Sequence, residues 1–288
     1  MPEQDESPPV TSLALRVDES WRPGTFMAAA LEQVLVMASR IDETTEYGYD
    51  DQASTVVAGY LRSDKPQLLT RTFEAGKSYA VFATGATDLA DLDITVMGPD
   101  GTELAADRET DENPMVVFVP PETGVYQVQL SLIGADDEFG AMVVMREGGI
   151  QIRPDILQPA FQTLLDQATG ASNAVLEKGF GQGLLFHEND WALNATILYP
   201  GETIRQNNLR VDDVSVFLAV AHDPTLNIDL QVADMNSGAS ISDTEPDANP
   251  LVVLDSPDPS SRYELAVSYD ASANGPTLET SLILKLAP

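Results

Sequence analysis

Short apolar or alternating runs, each closed by a turn signal, recur along most of the chain. Residues 78–84, 91–97, 115–119, 124–132 and 139–146 are rich in Val, Ile, Phe and Tyr, as β-strands require. Gly98-Pro99-Asp100-Gly101, Pro120 to Gly124 and Gly134 to Asp137 separate them. A second series occupies 214–221, 227–233, 251–255, 262–269 and 278–286, broken at Asn236-Ser237-Gly238, Ser256 to Pro259 and Ala273 to Pro276. Two segments follow the helical period instead. Residues 25–41 carry Leu31, Val34, Leu35 and Ala38 on one face, and residues 156–169 carry Leu157, Phe161, Leu164, Leu165 and Ala168. Pro154 or Pro159 suits the first turn of the second helix. A further strand follows each helix, Thr55 to Leu61 and Trp191 to Leu198. Each stripe predicts a helix packed on its own sandwich, the alternative being a helix offered to a partner chain.

The two series are copies. Asp91 to Val96 matches Asn227 to Val232, and Met115 to Phe118 matches Leu251 to Leu254, at one spacing of 136 residues without a gap. Beyond Phe118 the copies slip by one position, Tyr126 to Leu130 pairing with Tyr263 to Val267. Ala30 to Leu35 resembles Ala160 to Leu165, so the duplicated unit includes the helix. Many short strands between turns predict a mainly β protein: two tandem jelly-roll-like antiparallel β-sandwiches, each preceded by an α-helix. The expected divisions are an acidic tail over 1–22, a first unit over 23–150 and a second over 151–288.

A chain of 288 residues with 43% hydrophobic residues has enough apolar material for sizeable cores. Its net charge of -31, from 46 acidic against 15 basic residues, offers no basic footprint for nucleic acid or anionic membrane. Most of this charge reads as a strongly solvated, halophile-like surface. No apolar run is long enough for a transmembrane helix. The absence of cysteine excludes disulfides, thiolate metal sites and Cys nucleophiles. Met1 to Pro9 lacks the basic-then-apolar pattern of a signal peptide, which leaves a cytoplasmic protein or one whose signal has been removed.

Phe73 to Val81, Asp91 to Val96 with Pro99-Asp100-Gly101, and Phe118 to Tyr126 resemble the bacterial pre-peptidase C-terminal (PPC) domain. The resemblance covers 68–148 well and 204–287 more loosely. It implies a jelly-roll-like sandwich in a secreted or periplasmic protein, with an accessory rather than catalytic role and, in some relatives, bound calcium. The second copy lacks the Thr-Gly before its Tyr strand, the helices are not part of the family's domain, and no peptidase accompanies the pair.

The candidate site residues are the Asp and Asn positions kept in both copies: Asp91, Asp93, Asp107, Asp111 and Asn113, repeated as Asn227, Asp229, Asp243, Asp247 and Asn249. Hard cations take oxygen ligands of this kind, so calcium is the one candidate cofactor. Asp91 and Asp93 share a strand face. The competing reading is a turn scaffold, since Asx side chains cap turns and Asn before Pro enters a strand extended. His187 and His222, the only histidines, lie far apart and build no zinc motif, and no Gly-x-Ser-x-Gly marks a hydrolase. Gly179 to Gly183 reads as a connector. Trp21, Trp191, Tyr47, Tyr49 and Tyr60 read as core before they read as a sugar-stacking platform. The expectation is a non-catalytic binding or accessory protein. Its partner would be a protein or a polysaccharide, with no nucleic acid and no membrane insertion. A calcium-stabilised adhesive module is the alternative, and a divergent hydrolase with paired carboxylates a more distant one.

Overall fold

The computed structural model describes residues 13–87, 91–134, 137–180, 182–187 and 190–287. The first copy runs α1 (Arg22–Thr44), β1 (Tyr47–Tyr49), β2 (Val56–Leu61), β3 (Gln67–Phe73), β4 (Tyr79–Gly85), β5 (Asp91–Met97), β6 (Glu103–Asp107), β7 (Met115–Phe118), β8 (Gly124–Ile133) and β9 (Glu138–Glu147). The second repeats it as α2 (Pro154–Glu177), β10 (Leu184–Phe186), β11 (Leu193–Leu198), β12 (Thr203–Leu209), β13 (Ser215–Ala221), β14 (Ile228–Asp234), β15 (Ser240–Asp243), β16 (Leu251–Leu254), β17 (Tyr263–Tyr269) and β18 (Thr277–Leu286).

The strands form a three-layer mainly β structure. One sheet of ten strands crosses both copies in the order β16-β13-β18-β11-β2-β9-β4-β7, with β1 and β10 beside β9 and β18. Two four-stranded sheets, β3-β8-β5-β6 and β12-β17-β14-β15, stand against it. Each makes a sandwich with its own half of the large sheet. The first core gathers Phe73, Val81, Leu92, Tyr126 and Val144, and the second Phe217, Leu230, Val267 and Ile283. Strand alternation turns the other face of the large sheet toward the helices. There Leu31, Val34 and Leu35 of α1 and Leu157, Phe161 and Leu164 of α2 meet Val56, Val143, Leu193 and Leu282 in one continuous core. Each fully buried side chain of this size contributes about 1.5–3 kcal/mol. Both amphipathic stripes therefore pack on the sheet, and α1 and α2 also touch each other. None of the described helices is long and apolar enough to cross a membrane.

Two expectations change. The copies do not close as separate sandwiches at residue 150, because β2 and β11 pair and fuse their large sheets. The acidic tail expected over 1–22 contributes to the core in its described part: Leu13, Leu15 and Trp21 are buried, while Asp18, Glu19 and Ser20 are exposed. Polarity hid this, since the contacts are to the distant α2 and β10. Arg16 N donates to Gln162 Oε1 at 2.9 Å, Gln162 Nε2 returns a bond to the Arg16 carbonyl at 2.8 Å, and Trp21 Nε1 donates to the Leu184 carbonyl at 2.8 Å. The Trp21 indole lies so close over α1 that a Cβ on Gly24 would stand 2.2 Å from it. Pro23 at the helix start needs no amide partner there.

The strands not anticipated, β1, β3, β6, β10, β12 and β15, are short or polar. In β12, Thr203 to Asn208 alternates weakly and bends at a bulge where Asn208 adopts φ 63. Gly179, with φ 88, ends α2, and Gly183 turns the chain into β10, as a connector would; Gly181 lies outside the described residues.

Candidate functional site

The pairing that fuses the copies is symmetric. Ala58 faces Leu193, Val57 faces Asn194 and Val56 faces Ala195. In each strand these are the first three residues, so a local two-fold axis passes between Val57 and Asn194. The flanking bonds obey it: the carbonyl of Thr55 accepts Val144 N and that of Ala192 accepts Ile283 N, both at 2.8 Å.

The side chains break this symmetry. Two residues ahead of β11 stands Trp191, and two ahead of β2 stands Ser54. The Trp191 indole lies on Gly59, where a Cβ would stand 3.4 Å from it, and its Nε1 donates to the Leu68 carbonyl of β3 at 2.9 Å. Gly59 pairs with Gly140, and Leu61 fills the space above Gly140. At the related place in the second copy, Thr196 pairs with Glu279, and the position related to Trp191 holds the much smaller Ser54. An open groove of about 850 Å³ results, walled by the facing edge strands β3 and β12 and floored by Asn194, Thr196 and Leu198.

One wall is an ion-pair network. Asp50, wholly buried, holds the Arg71 guanidinium through Oδ2 and Arg146 Nε through Oδ1 at 3.1 Å. Arg71 also donates to the Ser54 carbonyl at 2.8 Å and lies over the Phe73 ring. Burial lowers the Arg71 pKa, and Asp50 opposes that. Asp51 accepts from Arg146 at 2.6 Å and from the Tyr199 phenol at 2.8 Å. Partial burial raises the Asp51 pKa, but the bonds from Arg146, Gln52 and Tyr199 outweigh it and hold the carboxyl at about 2. Glu202 accepts Tyr199 N, and Arg205 pairs with Glu264. The guanidiniums of this groove therefore already face carboxylates.

Behind the floor sits a buried acid. Glu279 is wholly buried, with the Ser281 hydroxyl near its carboxyl but no well-formed hydrogen bond to either oxygen, and the Thr196 hydroxyl is unpaired. Burial pushes the Glu279 pKa from 4.5 up to about 8, and the Ser281 hydroxyl offsets part of that. At neutral pH this is a neutral acid. The sequence carried a signal for it, a lone carboxylate inside the apolar run 278–286.

The ten Asp and Asn residues singled out by the repeat lie elsewhere, at the outer ends of the sandwiches. Asp107 Oδ1 accepts Glu109 N at 3.1 Å and its Oδ2 accepts Met115 N at 2.9 Å; Asp243 does the same for Glu245 N at 3.2 Å and Leu251 N at 3.0 Å. Asp111 and Asp247 accept the amides of Asn113 and Asn249, and their carbonyls accept Leu92 N and Ile228 N. These bonds tie β6 to β7 and β15 to β16, and they engage an amide of each exposed outer strand, one means of blunting a sheet edge. Burial raises the pKa of Asp93, helped by Asp91 and Asp107, and that of Asp229, helped by Asp270 and Asp243. Asp91 Oδ1 and Asn227 Oδ1 are buried without a partner. Among the described residues no group of three or more His, Asp and Glu is arranged to hold a metal ion.

His187 Nε2 lies 3.1 Å from Ser215 Oγ, but Ser215 is wholly buried and donates to the Asp213 carbonyl. His222 Nδ1 lies 2.9 Å from Thr277 Oγ1, and burial lowers its pKa. Glu188 and Asn189, beside His187, lie outside the described residues. The aromatic set does not gather: Trp21 and Tyr49 are core, Tyr47 bonds Ser78, and only Trp191 reaches the groove.

No protein-family model and no curated protein matches the chain. Among solved structures it is similar to the N-terminal CBM22-1-CBM22-2 tandem domain of Xyn10C from Paenibacillus barcinonensis, at 9% identity over 83% of this chain and 88% of that one, TM-score 0.23. It is similar to the PBSX exported protein XepA at 8% identity over 81% and 87%, TM-score 0.25. A two fibronectin type-III domain segment from chicken tenascin matches at 9% identity over 76% and 98%, TM-score 0.20. These scores do not identify a shared fold, and the PPC resemblance stands only at the coarser level of an antiparallel β-sandwich.

Proposed function

We propose that this protein is a non-catalytic binding or accessory protein that holds its ligand in the groove between its two copies. The observation that carries this reading is the groove itself: about 850 Å³, walled by both copies, at the one place where a symmetric seam is filled on one side and open on the other. Concave sites at such junctions are where ligands bind. The groove's Asp51 and Glu202 are engaged by Arg146, Tyr199 and backbone, which suits a rigid binding wall better than a proton-transferring pair. A secreted or periplasmic setting agrees with the acidic surface and the PPC resemblance.

The test uses the full chain. Ser54→Trp places an indole in the open half of the groove. Protein and polysaccharide ligands that bind the wild type should lose binding to this variant while its melting temperature holds. Full-strength binding by Ser54→Trp moves the ligand elsewhere, and turnover of glycan, ester or peptide bonds by the wild type overturns the non-catalytic reading.

A further inference from the structure

The local two-fold axis makes the open half of the groove the counterpart of an occupied one. Over Gly59 the first copy seats the Trp191 indole, and Leu61 covers the paired Gly140. Over Thr196, which lines the groove, the position related to Trp191 is held by the small Ser54, and Glu279 lies buried beside it. The chemistry of the floor differs in a consistent direction. A glycine accepts an apolar ring face; a hydroxyl beside a buried carboxyl does not. Thr196 is 4% exposed, lines the groove, and has an unpaired hydroxyl, with the buried Glu279 directly opposite it in register. Cross-strand partners in such a pair stand about 5 Å apart on the same face. Buried polar groups without partners are costly, so an occupant that brings hydrogen-bonding groups gains more here than an apolar one.

The walls narrow the class. Asn194 and Gln206 offer amides, Thr203 a hydroxyl, and Gln206 already reaches toward Ser281 at 3.5 Å. Arg71, Arg205 and Asp51 are taken by Asp50, Glu264 and Arg146. Both guanidiniums are taken, and Glu74, Asp190 and Glu202 also line the groove, so it repels anions, whereas its amides and hydroxyls can both give and accept hydrogen bonds.

We propose that the half-groove over Thr196 binds an uncharged, hydroxyl-rich ring, a neutral sugar unit of a glycan, in the seat that Trp191 fills on the other side of the axis. This rests on the groove being the binding site and adds the ligand class and the contact. A peptide side chain would satisfy the same volume but leave Thr196 unpaired if apolar.

The experiment measures binding of cellohexaose, xylohexaose, mannohexaose and laminarihexaose to the full chain by calorimetry. Hexagalacturonate is the charged probe and gelatin the peptide probe. Thr196→Val keeps the shape of the side chain and deletes the hydroxyl. The expected result is binding of at least one neutral hexaose over hexagalacturonate, weakened about tenfold or more by Thr196→Val with the melting temperature unchanged. If gelatin binds, Ser54→Trp blocks it and no neutral hexaose binds, the groove remains the site and the sugar assignment falls. Neutral hexaose binding that survives Thr196→Val refutes the seat. Hexaose binding unaffected by Ser54→Trp, or no binding of any probe, overturns both.

Discussion

The phenol of Tyr199, in the second copy, donates a 2.8 Å hydrogen bond to Asp51 Oδ2 in the first, so one carboxylate joins the two copies where their large sheets meet. The same carboxylate accepts from Arg146, and its pKa falls to about 2. Tyr199→Phe should cost about 1 kcal/mol in urea unfolding. Because the folded-state pKa is depressed from 3.8, Asp51 contributes stability above pH 3.8 that is lost as pH falls through about 2. Asp51→Asn should flatten that acid limb; an unchanged limb would assign it to other carboxylates.

Arg71 and Asp50 are buried together, with side chains 3% and 0% exposed. Replacing Arg71 by Met strands Asp50 with Arg146 as its only cation. The expected loss is about 3–5 kcal/mol, read by denaturant unfolding. A loss below about 1 kcal/mol would mean that water or Arg146 compensates fully.

Glu279 gives a pH dependence of the opposite sign. Its folded-state pKa is raised from 4.5 to about 8, so the unfolded chain ionises first. The stability it contributes is fully present below pH 4.5 and is lost as pH rises through about 8. Glu279→Gln should remove a decline on the order of a few kcal/mol across that window. Equal pH slopes for wild type and variant would show that the carboxyl is not buried as described.

Trp191 closes one half of the seam and is 6% exposed. Trp191→Ala should cost about 3–5 kcal/mol by opening a cavity over Gly59. Thermal melting reads the loss, and a cost near zero would mean that the seam collapses around the change.

Asp107 and Asp243 each accept two backbone amides. Alanine at either position should cost about 1 kcal/mol. With both carboxylates occupied in this way, excess EGTA should leave the melting temperature of the wild type unchanged. A drop on chelation that calcium restores would make these residues cation ligands.

Apolar spacing by itself determined the elements and their duplication. The runs at 91–97, 115–119 and 124–132 and the stripe Leu31, Val34, Leu35 and Ala38 are strands and helix as their periods require, because burial on one face imposes a repeat that neighbours in sequence must obey. The conserved Asp107 and Asp243 were visible too, since a loop that must cap the same amides twice keeps the same side chains. Tertiary structure decided what no local period encodes. Leu13, Leu15 and Trp21 are core only because α2 and β10 lie beside them. Val57 and Asn194 meet across the axis with no sequence neighbour to announce it. The groove exists because Ser54, Thr196 and Glu279 stand where the related half has Trp191, Gly59 and Gly140, a difference that acquires meaning only once the two copies share a sheet.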